Sequence, residues 1–161
     1  MSRAALAAVC LLLLSAGGCG YAYVAPEPFP ERAPVLVPTS IGRSWDLVLD
    51  ALAQSNLLIA TSDKGTGLII SQSLVVGRPQ STEWSDCGRV KGSAQPGDRG
   101  FATRGEIRIL VAPAGQVSTI HVTAVWSKAD MYSDRARCAT TGVYERALEA
   151  RIVASASHQA P

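Results

Sequence analysis

Histidine is scarce in this sequence of 161 residues, which carries only His121 and His158. The first falls on the wetter face of a predicted strand, and the second lies near the C-terminus. None of the four cysteines has CxxC spacing, so no closely spaced set of nitrogen and sulfur ligands exists. Because zinc sites need several such ligands, the sequence predicts neither a metal site nor a cofactor.

Charged residues are also sparse, at 17% of the chain, with a formal net charge of +2. The basic residues are scattered and form no long run. Binding to a phosphate backbone favours a clustered positive surface over a dispersed one. We therefore expect no nucleic-acid partner.

The residue patterns typical of catalytic sites are missing as well. No serine lies in a GxSxG motif, and the sequence nominates no partner for His121 as a base. The segment Gly65-Thr66-Gly67 lacks the lysine and the following helix of a phosphate-binding loop. The acidic residues are spread over predicted caps, turns and strand faces, where solvated carboxylates are the rule: Asp46, Asp50, Asp63, Asp86, Glu106 and Glu145. We expect a protein that is not an enzyme.

What the chain does have is an N-terminus with the three-part form of a secretory signal. Arg3 is followed by an apolar run over residues 4–14, which is shorter than the roughly 20 residues of a permanent membrane helix. The segment Ser15-Ala16-Gly17-Gly18-Cys19 resembles a bacterial lipobox, in which the cysteine is lipidated, with palmitate among its acyl chains, and becomes the mature N-terminus. We predict a lipoprotein signal peptide over 1–18 and lipidation of Cys19. The alternative is ordinary cleavage nearby, which would leave a free thiol.

Lipidation would place the protein in the cell envelope. Gly20, directly after the cysteine, is similar to the pattern sorted to the outer membrane, so we expect an outer-membrane anchor with the protein facing the periplasm.

Residues 19–38 are predicted to form a proline-rich tether. Prolines block helix and favour an extended polyproline conformation, and this segment carries five, namely Pro26, Pro28, Pro30, Pro34 and Pro38. At about 3.1 Å per residue, such a tether would hold the domain up to roughly 60 Å from the lipid. The alternative is a peptide that docks on a partner in extended form.

Residues 39–157 are predicted to fold as one α+β domain, followed by a disordered tail over 158–161. Apolar residues at helical spacing predict a first helix from Thr39-Ser40 to about Ser55, on Trp45, Val48, Leu49 and Leu52, and a last helix over 143–155, on Tyr144, Ala147, Leu148 and Ile152.

Two hairpins are predicted between these helices. The first joins strands over 57–62 and 68–76, and the second joins strands over 104–111 and 116–128. Alternation of apolar residues in the second hairpin indicates one covered face and one wetter face, on Ile107, Ile109, Val111, Ile120, Val122, Ala124 and Trp126. The predicted fold class is a single four-stranded antiparallel sheet with two packing helices, in the order α-β-β-β-β-α.

The cysteines sort by position. Cys10 lies in the cleaved run and Cys19 accepts the lipid, which leaves Cys87, inside a long loop predicted over 77–102, and Cys138. In an oxidising compartment we expect these two to form a disulfide. Closing a loop of about 50 residues would stabilise the fold by roughly 4 kcal/mol.

Several short sequence segments occur in a particular order along the chain. They are Trp45-Asp46 opening a helix, Asp63-Lys64 followed by Thr66-Gly67-Leu68-Ile69, Cys87-Gly88, and Cys138 before Thr141-Gly142 and Glu145. With the lipobox, this order resembles the helix-grip domains of the BamC-like outer-membrane lipoproteins, accessory parts of the β-barrel assembly machinery, and a wider set of uncharacterised envelope lipoproteins. The likeness covers about residues 40–155. This chain has room for one such domain where the assembly proteins have two, and its cysteine pair points to the uncharacterised relatives.

The resemblance implies a helix-grip-like, non-enzymatic protein. We expect a membrane-anchored interaction module that is accessory to outer-membrane assembly or maintenance. It would present its exposed sheet face and the 77–102 loop to another envelope protein. Trp84, an aromatic residue on a polar loop, is the predicted partner contact; its alternative is a local cap over the core near Cys87. The competing function is a binder of a small apolar ligand such as a lipid, which needs an open pocket between Trp45, Trp126 and the sheet.

Overall fold

The computed structural model describes residues 23–90, 102–128 and 136–158. The predicted signal peptide over 1–18 and the predicted lipidation of Cys19 lie outside these residues. So do positions 91–101 of the predicted loop and 159–161 of the predicted tail.

Three helices occur in the described residues: α1 (Ile41–Gln54), α2 (Arg78–Trp84) and α3 (Val143–His158). Helix α1 begins as the sequence predicts, because the Ser40 side chain accepts a hydrogen bond from the Arg43 amide at 3.5 Å. The predicted apolar faces of α1 and α3 are largely buried, although Ala147 of α3 is exposed.

Ten strands occur in the same residues: β1 (Tyr23–Val24), β2 (Val35–Val37), β3 (Ile59–Asp63), β4 (Leu68–Ser71), β5 (Leu74–Val76), β6 (Ser85–Asp86), β7 (Arg89–Val90), β8 (Thr103–Ala114), β9 (Val117–Lys128) and β10 (Ala136–Thr140). Eight of them form one curled antiparallel sheet in the order β3-β4-β8-β9-β10-β6, with β2 also on β9 and β5 also on β8. Strands β1 and β7 form a separate two-stranded ribbon.

The predicted fold class, a single four-stranded sheet with two helices, is therefore wrong. One added strand, β2, comes from the proline-rich segment and pairs with the start of β9, Val35 opposite Ile120 and Val37 opposite Ser118. Another arises because the predicted return strand over 68–76 divides into β4 and β5 where its register against β8 shifts by one residue. At that break the Ser71 hydroxyl accepts a hydrogen bond from the Ile107 amide at 3.0 Å, in place of a main-chain partner.

The remaining difference lies in the segment predicted as a loop over 77–102. Its first part forms α2, β6 and β7, and β6 pairs with β10, a strand just before α3 that the sequence did not predict. Helix α2 begins with proline in its first turn, where the missing amide hydrogen costs nothing. The segment Gly77-Arg78-Pro79 therefore begins a helix, although its glycine and proline had indicated a loop.

The hairpin of β8 and β9 forms the centre of the sheet. Its strands pair along their full length, and the two-residue turn Gly115-Gln116 has glycine at a φ of 71°. The predicted alternation is confirmed: the seven apolar side chains named above are all buried on the face that packs against α1 and α3. We call the opposite face, which carries Arg104, Arg108 and Leu110, the outer face.

Candidate functional site

Two buried glutamates complete the edge of the sheet at β9. Strand β2 pairs only with the start of β9 and β10 only with its end. Between them, the Val122 amide donates to Glu149 Oε1 and the Ala124 amide donates to Glu145 Oε1, each at 3.3 Å. Carboxylates from α3 thus take the place of a neighbouring strand for these two amide groups.

Both carboxylates are almost fully buried, at 2% exposure for Glu145 and 3% for Glu149. Each has a second partner: Glu145 Oε1 accepts a hydrogen bond from Thr140 Oγ1 at 2.6 Å, and Glu149 Oε2 is paired with the Arg32 guanidinium. A buried carboxylate requires such donors to offset the loss of hydration. The ion pair also ties the segment before β2 to α3.

Sequence reasoning missed this role. It placed Glu145 in the first turn of the helix as a solvated carboxylate, and it did not single out Glu149. The signal was present in the spacing, since Glu145, Glu149, Ile152 and Ala156 stand at i, i+4, i+7 and i+11, which is one helical face.

Three aromatic rings pack against one another, and one of them, Tyr144, directly precedes Glu145 in α3. The ring centroids of Trp84 and Trp126 are 5.9 Å apart, those of Trp84 and Tyr144 are 4.8 Å apart, and those of Trp126 and Tyr144 are 6.0 Å apart. Trp84 is half-buried at the end of α2, not on a loop. Its position corresponds to the alternative given above, a cap over the core near Cys87, and a contact of its exposed edge with a partner stays a prediction.

Burial raises the pKa of the Tyr144 phenol above its ordinary value. The charge of Arg151 opposes this shift and that of Glu145 adds to it. The folded protein therefore favours the neutral phenol at this position.

The predicted disulfide between Cys87 and Cys138 is present and joins residues 51 positions apart. Cys87 lies between β6 and β7, while Cys138 lies in β10 opposite Trp126 of β9. The bond therefore fastens the segment of α2, β6 and β7 to the edge of the sheet.

The strand β1 is attached to the domain beside the disulfide. Tyr23 and Val24 of β1 pair with β7, and the Tyr23 hydroxyl donates a hydrogen bond to the Cys87 carbonyl at 2.9 Å. Gly88, at a φ of 75°, allows this close approach, because a Cβ there would lie 2.6 Å from Tyr23 Oη and would also collide with the Val24 carbonyl.

Further contacts follow along the same segment. The Phe29 ring lies against Gly142, where a Cβ would be 2.5 Å from Phe29 Cζ, and the Arg146 guanidinium stands 5.8 Å from the centre of that ring. Arg32 and β2 come next in the chain. Residues 23–37 thus contact the domain at several points. They therefore do not form part of an extended tether that holds the domain 60 Å from the lipid.

The outer face exposes apolar side chains among charged ones. Leu110, 46% exposed, stands between Leu68 of β4 and His121 of β9, and the Glu106 and Arg108 side chains form an ion pair at 2.7 Å beside it. Other exposed apolar side chains on this face are Leu36, Val75 and Val125. This mixture is suited to contact with another protein.

In the described part of the chain, no three histidine, cysteine or acidic side chains are grouped closely enough to hold a metal ion. No helix among the described residues combines the length and apolar character needed to cross a membrane.

No protein-family model matches the chain, and no curated protein matches it with significance. The resemblance to BamC-like lipoproteins therefore stays a prediction that depends on the residues quoted for it.

Proposed function

We propose that this protein is a lipid-anchored, non-catalytic interaction module of the cell envelope that binds another envelope protein through the outer face of its sheet. The observation that carries the proposal is the set of apolar side chains exposed on that face, centred on Leu110. Apolar side chains surrounded by charged groups are typical of a protein interface. A role in outer-membrane assembly or maintenance rests on the BamC-like resemblance alone.

The disulfide supports the proposed location outside the cytosol. Structural disulfides persist in oxidising compartments and are rare in the cytosol. The Cys87–Cys138 bond joins the segment between β6 and β7 to β10, and such a bond fits a protein that matures after export, with Cys19 as its anchor.

The test is crosslinking and affinity capture of the intact lipoprotein from membranes, with wild type compared against Leu110→Arg. A matched control is Ile41→Arg, because Ile41 is 39% exposed but begins α1, away from the outer face. We expect the same partner from wild type and Ile41→Arg, and its loss from Leu110→Arg. Equal recovery by all three forms, or no partner from wild type, would refute the proposed interface.

A third variant, Trp84→Ala, tests the predicted partner contact. Recovery of the same partner as wild type would remove Trp84 from the interface. Loss of the partner from a folded, disulfide-bonded Trp84→Ala protein would support Trp84 as part of the interface.

The competing function, a binder of a small apolar ligand, requires space beside Trp126. That indole is 1% exposed, and Trp84 and Tyr144 pack against it. This packing favours the interaction module, since a module can have a filled core and a binder cannot. A lipid that remains bound to the purified domain in native mass spectrometry would reverse the preference.

A further inference from the structure

We infer that the domain lies directly against the bilayer that holds its lipid anchor, with the β1–β7 ribbon facing the phospholipid headgroups. The inference rests on the proposed lipidation of Cys19 and adds the surface that meets the membrane. It differs from the expectation of a long tether, which would let the domain stand off in any orientation.

The chain between the anchor and the ribbon is short. Tyr23 is the first residue of β1, four positions after Cys19. Four residues span at most about 14 Å even when fully extended. A lipidated Cys19 therefore limits the ribbon to that distance from the membrane surface.

The ribbon is attached to the sheet. Tyr23 is held by pairing with β7 and by its hydrogen bond to the Cys87 carbonyl, and Cys87 is covalently joined to Cys138 of β10. A two-stranded ribbon is weak alone, so these contacts at the disulfide give it its position. The short leash thus positions the disulfide end of the whole domain.

The surface of the ribbon carries an aromatic and a basic side chain. Tyr23 is 54% exposed, and its aromatic ring, whose hydroxyl donates to the Cys87 carbonyl, suits the boundary between headgroups and acyl chains. Arg89, exposed on β7 directly opposite Val24, supplies a positive charge for lipid phosphates. The occupant of this surface is a phospholipid headgroup layer.

The experiment is neutron reflectivity of the full-length lipidated protein on a supported phospholipid bilayer. Gly88→Ala separates β1 from β7, because the added methyl collides with the main chain of β1. Gly115→Ala is the matched control: its φ of 71° imposes the same backbone strain, but nothing lies within 4 Å of the added methyl.

We expect a gap of no more than about 15 Å between headgroups and protein for wild type and Gly115→Ala. In Gly88→Ala the gap should widen toward about 30 Å, the reach from Cys19 to Phe29, the next contact along the segment. A wild-type gap of several tens of ångströms would overturn the inference whether or not Gly88→Ala folds, and an unchanged gap in folded Gly88→Ala would overturn it too.

Mass spectrometry of the same sample separates the two proposals. An acylated protein that stands off the bilayer refutes the headgroup contact and leaves the anchored module intact. A protein without acyl chains refutes the anchor and the headgroup contact together.

Discussion

Two regions of the sheet are held together in different ways. In the hairpin half, made of β3, β4, β5, β8 and the first part of β9, the two central strands are 12 residues long and alternate apolar and polar side chains. In the stapled end, made of β1, β6, β7 and β10 with α2 and the start of α3, the strands have two to five residues. There a disulfide, a buried carboxylate and three packed rings connect the pieces.

The difference lies in the long central hairpin and not in strand length alone, because β3, β4 and β5 of the hairpin half also have only three to five residues. A long amphipathic hairpin gains enough burial and main-chain pairing to offset the entropy of ordering it. A strand of two residues cannot, and its position depends on side chains and covalent bonds that come from elsewhere in the chain.

The largest effect is expected from removing the disulfide. Replacing Cys87 and Cys138 by alanine should lower the free energy of unfolding by about 4 kcal/mol, because the unfolded chain regains the entropy of a loop of about 50 residues. Denaturant titration measures this, and wild type under reducing conditions is the control. A loss below about 1 kcal/mol would mean that the stapled end is stable without its covalent bond.

A smaller effect is expected at the carboxylate in the stapled end. Glu145→Ala leaves the Ala124 amide and the Thr140 hydroxyl without their acceptor and should cost about 2 to 3 kcal/mol. Glu145→Gln should cost less, because an amide oxygen can still accept both hydrogen bonds.

The matched control for that experiment lies in the hairpin half. Glu106 is a strand residue whose side chain is 40% exposed and paired with Arg108, so Glu106→Ala should change the unfolding free energy by no more than about 1 kcal/mol. Equal losses for Glu145→Ala and Glu106→Ala would erase the contrast between the two regions.

The smallest effect concerns alkaline pH. Burial raises the pKa of Tyr144 in the folded state above its unfolded value of about 10, so its stabilising contribution is complete below that value. The contribution disappears as pH rises through the higher folded pKa. In denaturant titrations, Tyr144→Phe should therefore lose less stability than wild type between about pH 9 and 12. This range begins about 1 unit below and ends about 2 units above the ordinary tyrosine pKa of about 10. Parallel pH profiles for the two proteins would contradict this expectation.

Sequence patterns predicted the hairpin half well because its information is local. Apolar residues at alternate positions specify which face of β8 and β9 is buried, and Ser40 with the spacing of Trp45, Val48 and Leu52 specifies α1. The disulfide followed from position, since Cys87 and Cys138 were the two cysteines left for the domain.

The stapled end could not be predicted in the same way. Whether the proline-rich segment is free or docked depends on distant groups, such as Glu149 for Arg32 and Gly142 for Phe29. Trp84 shows the same limit: a polar, glycine-rich neighbourhood indicated a loop, but packing against Trp126 and Tyr144 decides where the ring lies. Such pairings join residues that no local pattern relates.

Intact mass analysis of the protein isolated from membranes tests export and anchoring at once. We expect a mature chain that begins at Cys19, carries acyl groups and retains the Cys87–Cys138 bond under non-reducing conditions. A chain that begins at Met1, has no acyl groups and contains only free thiols would contradict both export and anchoring.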